Sequence, residues 1–334
     1  MFESLTAITV IALGKLGLCL ALCLAERGFN VLGVDIDEQR VNQVNHGVAP
    51  WYEPGLAELL ARYTTGSHLG GGSFRATTQH AQALTHGDCT IVLVPTPQES
   101  DGDFSTRYVE SALAALAQSL TEKHLFILSS TVLPGTLDGV IIPLIERVSG
   151  LRLNEGFGVC YVPDFVALGN VINDFLRPDL VVIGESAAVY GDVVATIYQR
   201  LCLNQPAISR MSLISAELAK VSLNAYITMK ISFANTLANL CECIPGADVD
   251  AITQAIGADR RISPHYLRGG TAFGGSCFPR DVSAFLRLAE VQGTQAELQR
   301  ITTRLLMCAG CYKQDSLCRP MKLFCDQRRQ THRV

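Results

Sequence analysis

Ala7-Ile8-Thr9-Val10-Ile11-Ala12-Leu13-Gly14-Lys15-Leu16-Gly17 opens the chain, and Asn30-Val31-Leu32-Gly33-Val34-Asp35 answers it; reading the two together decides the fold. Residues 7–11 form a short, β-rich apolar run, the pattern of a strand buried on both faces of a parallel sheet. Residues 13–17 turn the chain, Leu18–Arg27 reads as a helix, and Gly28 is placed to end it. Asn30–Val34 is a second strand, closed by Asp35. This is a βαβ start.

Working outward, later strands repeat the style. Thr90–Val94 stops at Pro95-Thr96-Pro97, Leu125–Ser129 at Ser130-Thr131, Gly158–Tyr161 at Pro163 and Leu180–Ile183 at Gly184, with helical patterns such as Thr106–Leu120 between them. Strands alternating with helices predict an α/β fold, an N-terminal Rossmann-like, doubly wound parallel sheet. The strand ends collect Thr, Ser, Pro and Asp, and such sheets bind ligands at their strand ends. From Ser212 to Cys243 there is neither proline nor glycine, which predicts a helix of about thirty residues, beyond the usual globular length. Its nearly all-round apolar character predicts a helical central domain whose spine helix, 212–243, is shared across the two-fold axis of a homodimer. Shorter helices are expected at Val249–Ile256 and from Asp281 to Val291. The expected division is a dinucleotide-binding domain at 1–205, a helical central and dimerisation domain at 206–300, and a divergent basic tail at 301–334.

Composition narrows the function classes. The 334 residues are 48% hydrophobic and only 17% charged, against about 25% charged in an average domain, which excludes a disordered or polar scaffold. A net charge of −4 excludes a general nucleic-acid binder. The charge is uneven: residues 300–334 carry a net +6 and residues 1–299 a net −10. Most of the twelve cysteines lie in apolar runs (Cys19, Cys23, Cys89, Cys160), where a thiol acts as a small hydrophobe, so a reducing, cytoplasmic compartment is expected. Leu16–Ala25 is shorter than the about 20 residues that span a bilayer and lacks signal-peptide flanks, so no membrane segment is expected. In the tail, only Cys308 and Cys311 have a metal-like spacing, and no metal site is expected.

Three places carry candidate chemistry. In the first turn, Ala12, Gly14 and Gly17 occupy the glycine positions of the G-x-G-x-x-G dinucleotide fingerprint. Gly14 allows a pyrophosphate to approach, Gly17 allows close helix–strand packing, and alanine at 12 is a mild defect. Asp35, 18 residues past Gly17, would accept hydrogen bonds from ribose hydroxyls and repel a 2′-phosphate, which favours NAD over NADP. The second place is Gly270–Asp281: paired glycines precede Cys277, and a helix expected near Asp281 would make that thiol more acidic and able to attack an aldehyde. The third is the spine helix, where Glu217, Lys220 and Asn224, spaced i, i+3, i+7, share a face; a Lys and an Asn there can hold an alcohol oxygen and stabilise an oxyanion.

These strings, in order, resemble the UDP-glucose/GDP-mannose dehydrogenase family of nucleotide-sugar 6-dehydrogenases. They are Leu13-Gly14-Lys15-Leu16-Gly17, Val34-Asp35-Ile36-Asp37, Glu53-Pro54-Gly55-Leu56, Val94-Pro95-Thr96-Pro97, Ser129–Thr136, Pro163-Asp164-Phe165, Glu217-Leu218-Ala219-Lys220 with Asn224, Gly246-Ala247-Asp248-Val249 and Phe273–Asp281. The resemblance covers about residues 7–300. It implies NAD-dependent oxidation of the C6 hydroxyl of a nucleotide sugar, UDP-glucose-like, through an aldehyde and a cysteine thioester to a uronic acid, as in polysaccharide biosynthesis. It further implies Cys277 as nucleophile, Lys220 and Asn224 on oxyanionic states, Asp281 in proton transfer and water placement, Thr131 on a catalytic water and Asp164 as a shared general base. Gly14, Gly17, Asp35, Arg40, Thr96 and Thr131 would line NAD; Lys220, Asn224, Arg261, Tyr266, Leu267 and Gly274 would line the sugar nucleotide.

The chain departs from the family pattern at Ala12, at Val162, where an Asn is usual, and at Asp164, where many relatives carry Glu. It is also expected to lack the family's third, nucleotide-binding domain, with a tail that reads as unselected or out-of-frame sequence. Three alternatives therefore stand beside the enzyme: an inactive NAD-binding remnant, a subunit that needs a domain in trans, and a two-electron 3-hydroxyacid dehydrogenase, against which the Gly274–Asp281 string counts.

Overall fold

The computed structural model describes residues 5–64, 71–99, 103–269 and 277–310, with 304–310 as backbone only. The chain divides into two compact units, Met1–Glu99 with Phe104–Lys220, and Ser100–Asp103 with Val221–Val334.

The first unit runs β1 (Ala7–Ile11), α1 (Lys15–Glu26), β2 (Asn30–Val34), α2 (Glu38–Asn45), α3 (Leu56–Thr64), β3 (Ser73–Thr77), α4 (Ala81–His86) and β4 (Cys89–Val92). It continues with α5 (Arg107–Ala117), β5 (His124–Leu128), a wide helical turn at Leu137–Ile141 leading into α6 (Ile142–Ser149), β6 (Phe157–Tyr161), α7 (Val171–Leu176), β7 (Leu180–Glu185), α8 (Ala188–Leu201) and β8 (Ala207–Ser212). The strands make one sheet in the order β3-β2-β1-β4-β5-β6-β7-β8. The winding reverses between β1 and β4, the place where sheets of this kind bind ligands at the carboxyl ends of their strands.

Period-two alternation sorts the sheet into two cores. Leu125 and Ile127 of β5 face one side with α1, α3, α7 and α8, while Phe126 and Leu128 face the other with α5 and α6. Buried Cys19, Cys23, Cys89 and Cys160 are free thiols; burial pushes Cys19 up to about 12 and keeps it protonated.

Several local expectations are corrected. β6 and β7 pair antiparallel, so the sheet is mostly rather than wholly parallel. β3 has an exposed-buried alternation too short to stand out beside its glycine-rich approach, and β8 is mostly exposed and polar. α1 begins at Lys15 rather than Leu18.

α9 (Leu213–Cys243) follows β8; its residues to Lys220 belong to the first unit and the rest to the second. The second unit adds α10 (Val249–Gly257), α11 (Cys277–Val291) and α12 (Glu297–Gly310). Asp248 caps α10 by accepting from the amides of Asp250 and Ala251. α11 starts at Cys277, one turn before the expected Asp281, because Pro279 is tolerated in a first turn, where its missing N–H would have no partner. α12 carries the first ten residues of the stretch read as a tail through 310; the rest of that stretch, with Cys311, Cys318, Cys325 and His332, lies outside the described residues. Among the described residues no helix is long and apolar enough to cross a membrane.

Candidate active site

In the first unit, the turn after β1 is built around glycine chemistry. Ala12 sits at φ +75°, a left-handed conformation that costs a residue with a Cβ about 1–2 kcal/mol. A Cβ at Gly17 would lie 1.9 Å from the Ala12 carbonyl oxygen, so only glycine fits. A Cβ at Gly14 would meet nothing within 4 Å, and Gly14 gives the N-terminus of α1 no side-chain cap. Open space over uncapped helix N–H groups is the environment a pyrophosphate requires.

Asp35 closes this turn from the end of β2. Its buried carboxylate accepts from the amides of Leu13 (2.7 Å) and Asp37 (2.9 Å), and from Arg40 Nη1 at 2.9 Å. Arg40 also reaches Asp37, at 3.2 Å. The carboxylate is thereby fixed at the carboxyl end of β2, where ribose hydroxyls would meet it. The turn, the uncapped helix and the acid at the second strand end fit a dinucleotide.

The ends of β4 and β5 are stitched together next to it. Thr96 Oγ1 donates to the Thr131 carbonyl at 2.7 Å, and Ser130 Oγ to the Val94 carbonyl at 2.7 Å. Thr96 is buried and Thr131 half-buried.

Asp164 follows β6. Its Oδ2 is closed off from solvent with no hydrogen-bond partner, and burial pushes the carboxyl up to about 7, with the Lys220 ammonium opposing the rise. Lys220, itself buried, donates from Nζ to the backbone carbonyl of Asp164 and lies over the Phe165 ring, 4.8 Å from its centroid. Glu217, three residues before Lys220 on the same helix, faces the loop after β5. It is fully buried, and its Oε2 and Oε1 accept from the amides of Gly135 (2.6 Å) and Leu137 (2.9 Å). Burial pushes its carboxyl up to about 7, opposed by those two amides.

In the second unit, α9 and α11 carry the polar cluster. Asn224 Nδ2 donates to Asp281 Oδ2 at 2.5 Å. Arg280 holds the other oxygen, with Nε and Nη2 each 2.9 Å from Oδ1. Asp281 is completely buried, so this carboxylate is held by one amide and one guanidinium. Cys277 is exposed at the start of α11, one turn before Asp281 and therefore on the same helix face.

The residues expected to line the sugar nucleotide divide. Arg261 is exposed, its guanidinium taken up by Asp259 at 2.6 Å. Tyr266, at φ +60°, stacks edge-on to Phe278 with centroids 6.2 Å apart, next to Cys277. Leu267 is buried and borders an apolar groove of about 730 Å³ lined also by Tyr226, Lys230, Phe233, Ile262 and Ile301. Lys230 donates to the carbonyls of Ile262 (3.0 Å) and Ser263 (3.1 Å) and so fixes the segment leading to Tyr266. Gly274 lies outside the described residues.

Two roles escaped sequence reasoning. Arg280 stood in the quoted string beside Asp281, and a cation next to a buried acid was the available signal. Glu53 accepts from the amides of Gly169 (3.1 Å) and Val171 (2.9 Å), pinning the loop after Asp164; an acid in the apolar setting of Trp51–Leu56 was the only hint.

Comparison with known proteins identifies the family of both units. Residues 6–202 match the NAD binding domain of the UDP-glucose/GDP-mannose dehydrogenase family and residues 214–305 its central domain. A UDP-glucose 6-dehydrogenase, AglM, of Haloferax volcanii is 37% identical over 296 residues, 87% of this chain and 67% of that protein. A GDP-mannose 6-dehydrogenase of Pseudomonas savastanoi pv. phaseolicola is 35% identical over the same length, 87% of this chain and 66% of that protein. The solved UDP-glucose dehydrogenase of Pyrobaculum islandicum superposes with a TM-score of 0.82 at 31% identity, over 91% of this chain and 68% of that one. The chain thus spans about two thirds of the length of these relatives.

Proposed function

The chain belongs to the UDP-glucose/GDP-mannose dehydrogenase family, and from that premise we propose that it oxidises C6 of a nucleotide sugar to the carboxylate through a covalent intermediate on Cys277. The observation that carries this reading is the α11 face: an exposed thiol one turn from a buried carboxylate that Asn224 and Arg280 hold in place. A two-electron 3-hydroxyacid dehydrogenase has no use for that thiol.

Gly14, Gly17, Asp35, Arg40 and Thr96 would hold NAD, which would supply the hydride acceptor for each of two oxidations. The C6 hydroxyl gives its proton to a water placed by Asp281, Lys220 and Asn224 stabilise the negative charge left on the oxygen, and the aldehyde forms as the hydride leaves. The Cys277 thiolate adds to the aldehyde carbon, forming a thiohemiacetal whose oxygen the same two residues hold. Loss of the second hydride leaves a thioester. Water then attacks the thioester carbonyl; Asp281 and Thr131 orient it, Asp164 takes its proton, and the thiolate departs from the uronic acid. A carboxyl near 7 suits the Asp164 role, because a base works best with a pKa near the operating pH. Arg261, Tyr266, Leu267 and Gly274 contact the sugar nucleotide.

α9 presents exposed Tyr226, Phe233 and Leu240 at seven-residue spacing, which supports a homodimer through this helix. Light scattering at micromolar concentration reads this directly; a monomer would overturn it.

The function is tested by following NADH formation with UDP- and GDP-hexoses, for the chain alone and with the C-terminal third of a relative supplied in trans. Two NADH per uronic acid is the expected stoichiometry. One NADH per product, or oxidation of a free 3-hydroxyacid instead, would overturn the reading. NAD should bind more tightly than NADP, and Asp35→Ala should narrow that preference.

A further inference from the structure

Glu217 is a fully buried carboxylate that no step of the proposed reaction uses. Both of its oxygens are occupied by main-chain donors 82 and 80 residues away, the amides of Gly135 and Leu137. These amides stand at the end of the loop that begins with Thr131 and at the start of the helical segment leading into α6. Pro134 interrupts that loop, and Gly135, at φ +91°, turns it. The helix start has no side-chain cap of its own, Thr136 making no such bond. The cap therefore comes from α9, through a carboxyl group whose two oxygens face the two free amides.

The same helix carries Lys220 three residues on. Side chains at i and i+3 move together when a helix rotates or slides. Lys220 is itself fixed at the far side by the Asp164 carbonyl and the Phe165 ring. The start of α9 is thus pinned between two loops of the first unit, one carrying Thr131 and the other Asp164.

Resting on the functional reading above for its significance, we infer that Glu217 is a positioning residue: it locks the Thr131 loop to α9 and thereby sets where the Lys220 ammonium stands. The carboxylate is needed because it can accept two amides at once. A glutamine in its place offers one carbonyl oxygen and turns an NH₂ group toward the second amide, a donor facing a donor.

The test compares the unmutated protein, Glu217→Gln and Arg200→Ala. Arg200 ties the ends of α1 and α8 together through the carbonyls of Arg27 and Gly28, just before the amino end of β2, so its variant reports plain destabilisation. Two readouts are independent of turnover: amide exchange at Gly135 and Leu137, and acylation of Lys220 by acetic anhydride followed by mass spectrometry. In Glu217→Gln, exchange at both amides should rise about tenfold or more, as expected for loss of a charge-assisted bond, and Lys220 acylation should rise with it. In Arg200→Ala neither should change, even where the melting temperature falls as far. Faster exchange with unchanged Lys220 acylation would show that Glu217 only caps a helix and would overturn the inference. So would equal changes in Arg200→Ala. Should Glu217→Gln fail to fold, Glu217→Asp, which keeps the charge but shortens the reach, gives the same paired readout. A protein that reduces no NAD with any nucleotide sugar would sink the functional reading while leaving the Glu217–Lys220 coupling decided by these measurements. Where turnover is present, Glu217→Gln should lower kcat more than it changes KM.

Discussion

Asn224 Nδ2 and Asp281 Oδ2 lie 2.5 Å apart across 57 residues of sequence, and this bond joins α9 to α11 inside the second unit. The acid is wholly buried, so the amide and the Arg280 guanidinium are what make its charge tolerable there.

Asn224→Ala leaves Asp281 Oδ2 without its donor. The expected cost is about 1–3 kcal/mol, the penalty of an unsatisfied buried acceptor, read as a lower denaturation midpoint. Asn224→Asp should cost more still, because it replaces the donor with a second acid facing Asp281. Equal stability of the two variants and the unmutated protein would argue against this bond as a support of α11.

Cys277→Ser should end uronic acid formation while leaving a slow first oxidation, because a serine hydroxyl is far less ionised than a thiol. Buried Cys19→Ser should disturb packing only, its thiol being held protonated by burial. Product analysis by mass spectrometry distinguishes aldehyde from acid. Unchanged acid formation in Cys277→Ser would point to another nucleophile.

Ala12→Gly relieves the left-handed backbone at φ +75°. The expected gain is about 0.5–1 kcal/mol, after the extra freedom of glycine in the unfolded chain is subtracted, seen as a small rise in melting temperature. Gly17→Ala should do the reverse and far more strongly, since its Cβ would lie 1.9 Å from the Ala12 carbonyl oxygen.

His124 supplies a pH window. Burial lowers its pKa from 6.5 to about 4, while its Nε2 stays within 2.9 Å of Thr90 Oγ1. The unfolded chain takes up this proton below about pH 6.5 and the folded one only near 4, so stability contributed by neutral His124 is full above 6.5 and falls as pH drops toward 4. The whole effect is about 3 kcal/mol at 1.36 kcal/mol per unit. Asp164 and Glu217, both pushed up to about 7, work in the opposite sense: the folded state binds their protons more tightly, and their stabilising contribution fades as pH rises through 7. Urea titrations of the protein and of His124→Gln from pH 4 to 8 separate the two. The stability difference between them should shrink on the acid side of 6.5, and a constant difference would refute the burial argument.

What the sequence determined was local. The turn at Gly14 and Gly17, the strand ends before Pro95, Ser130 and Pro163, and the long helix free of proline and glycine all follow from backbone freedom and from periodicity, which neighbouring residues carry among themselves. The ordered strings also sufficed to place the chain in its family, because each string is a short-range feature. Only the tertiary structure decided the pairings across the chain: Glu217 with the amides of Gly135 and Leu137, Lys220 with the Asp164 carbonyl, Asn224 with Asp281. Helical spacing put Glu217, Lys220 and Asn224 on one face, yet it could not say that the glutamate would be spent on capping another helix. The antiparallel β7 was equally hidden, since a buried strand reads the same in either direction. Partners of this kind are chosen by what other segments bring within hydrogen-bond reach when the sheet and its helices close on their cores, and no spacing along the chain encodes that choice.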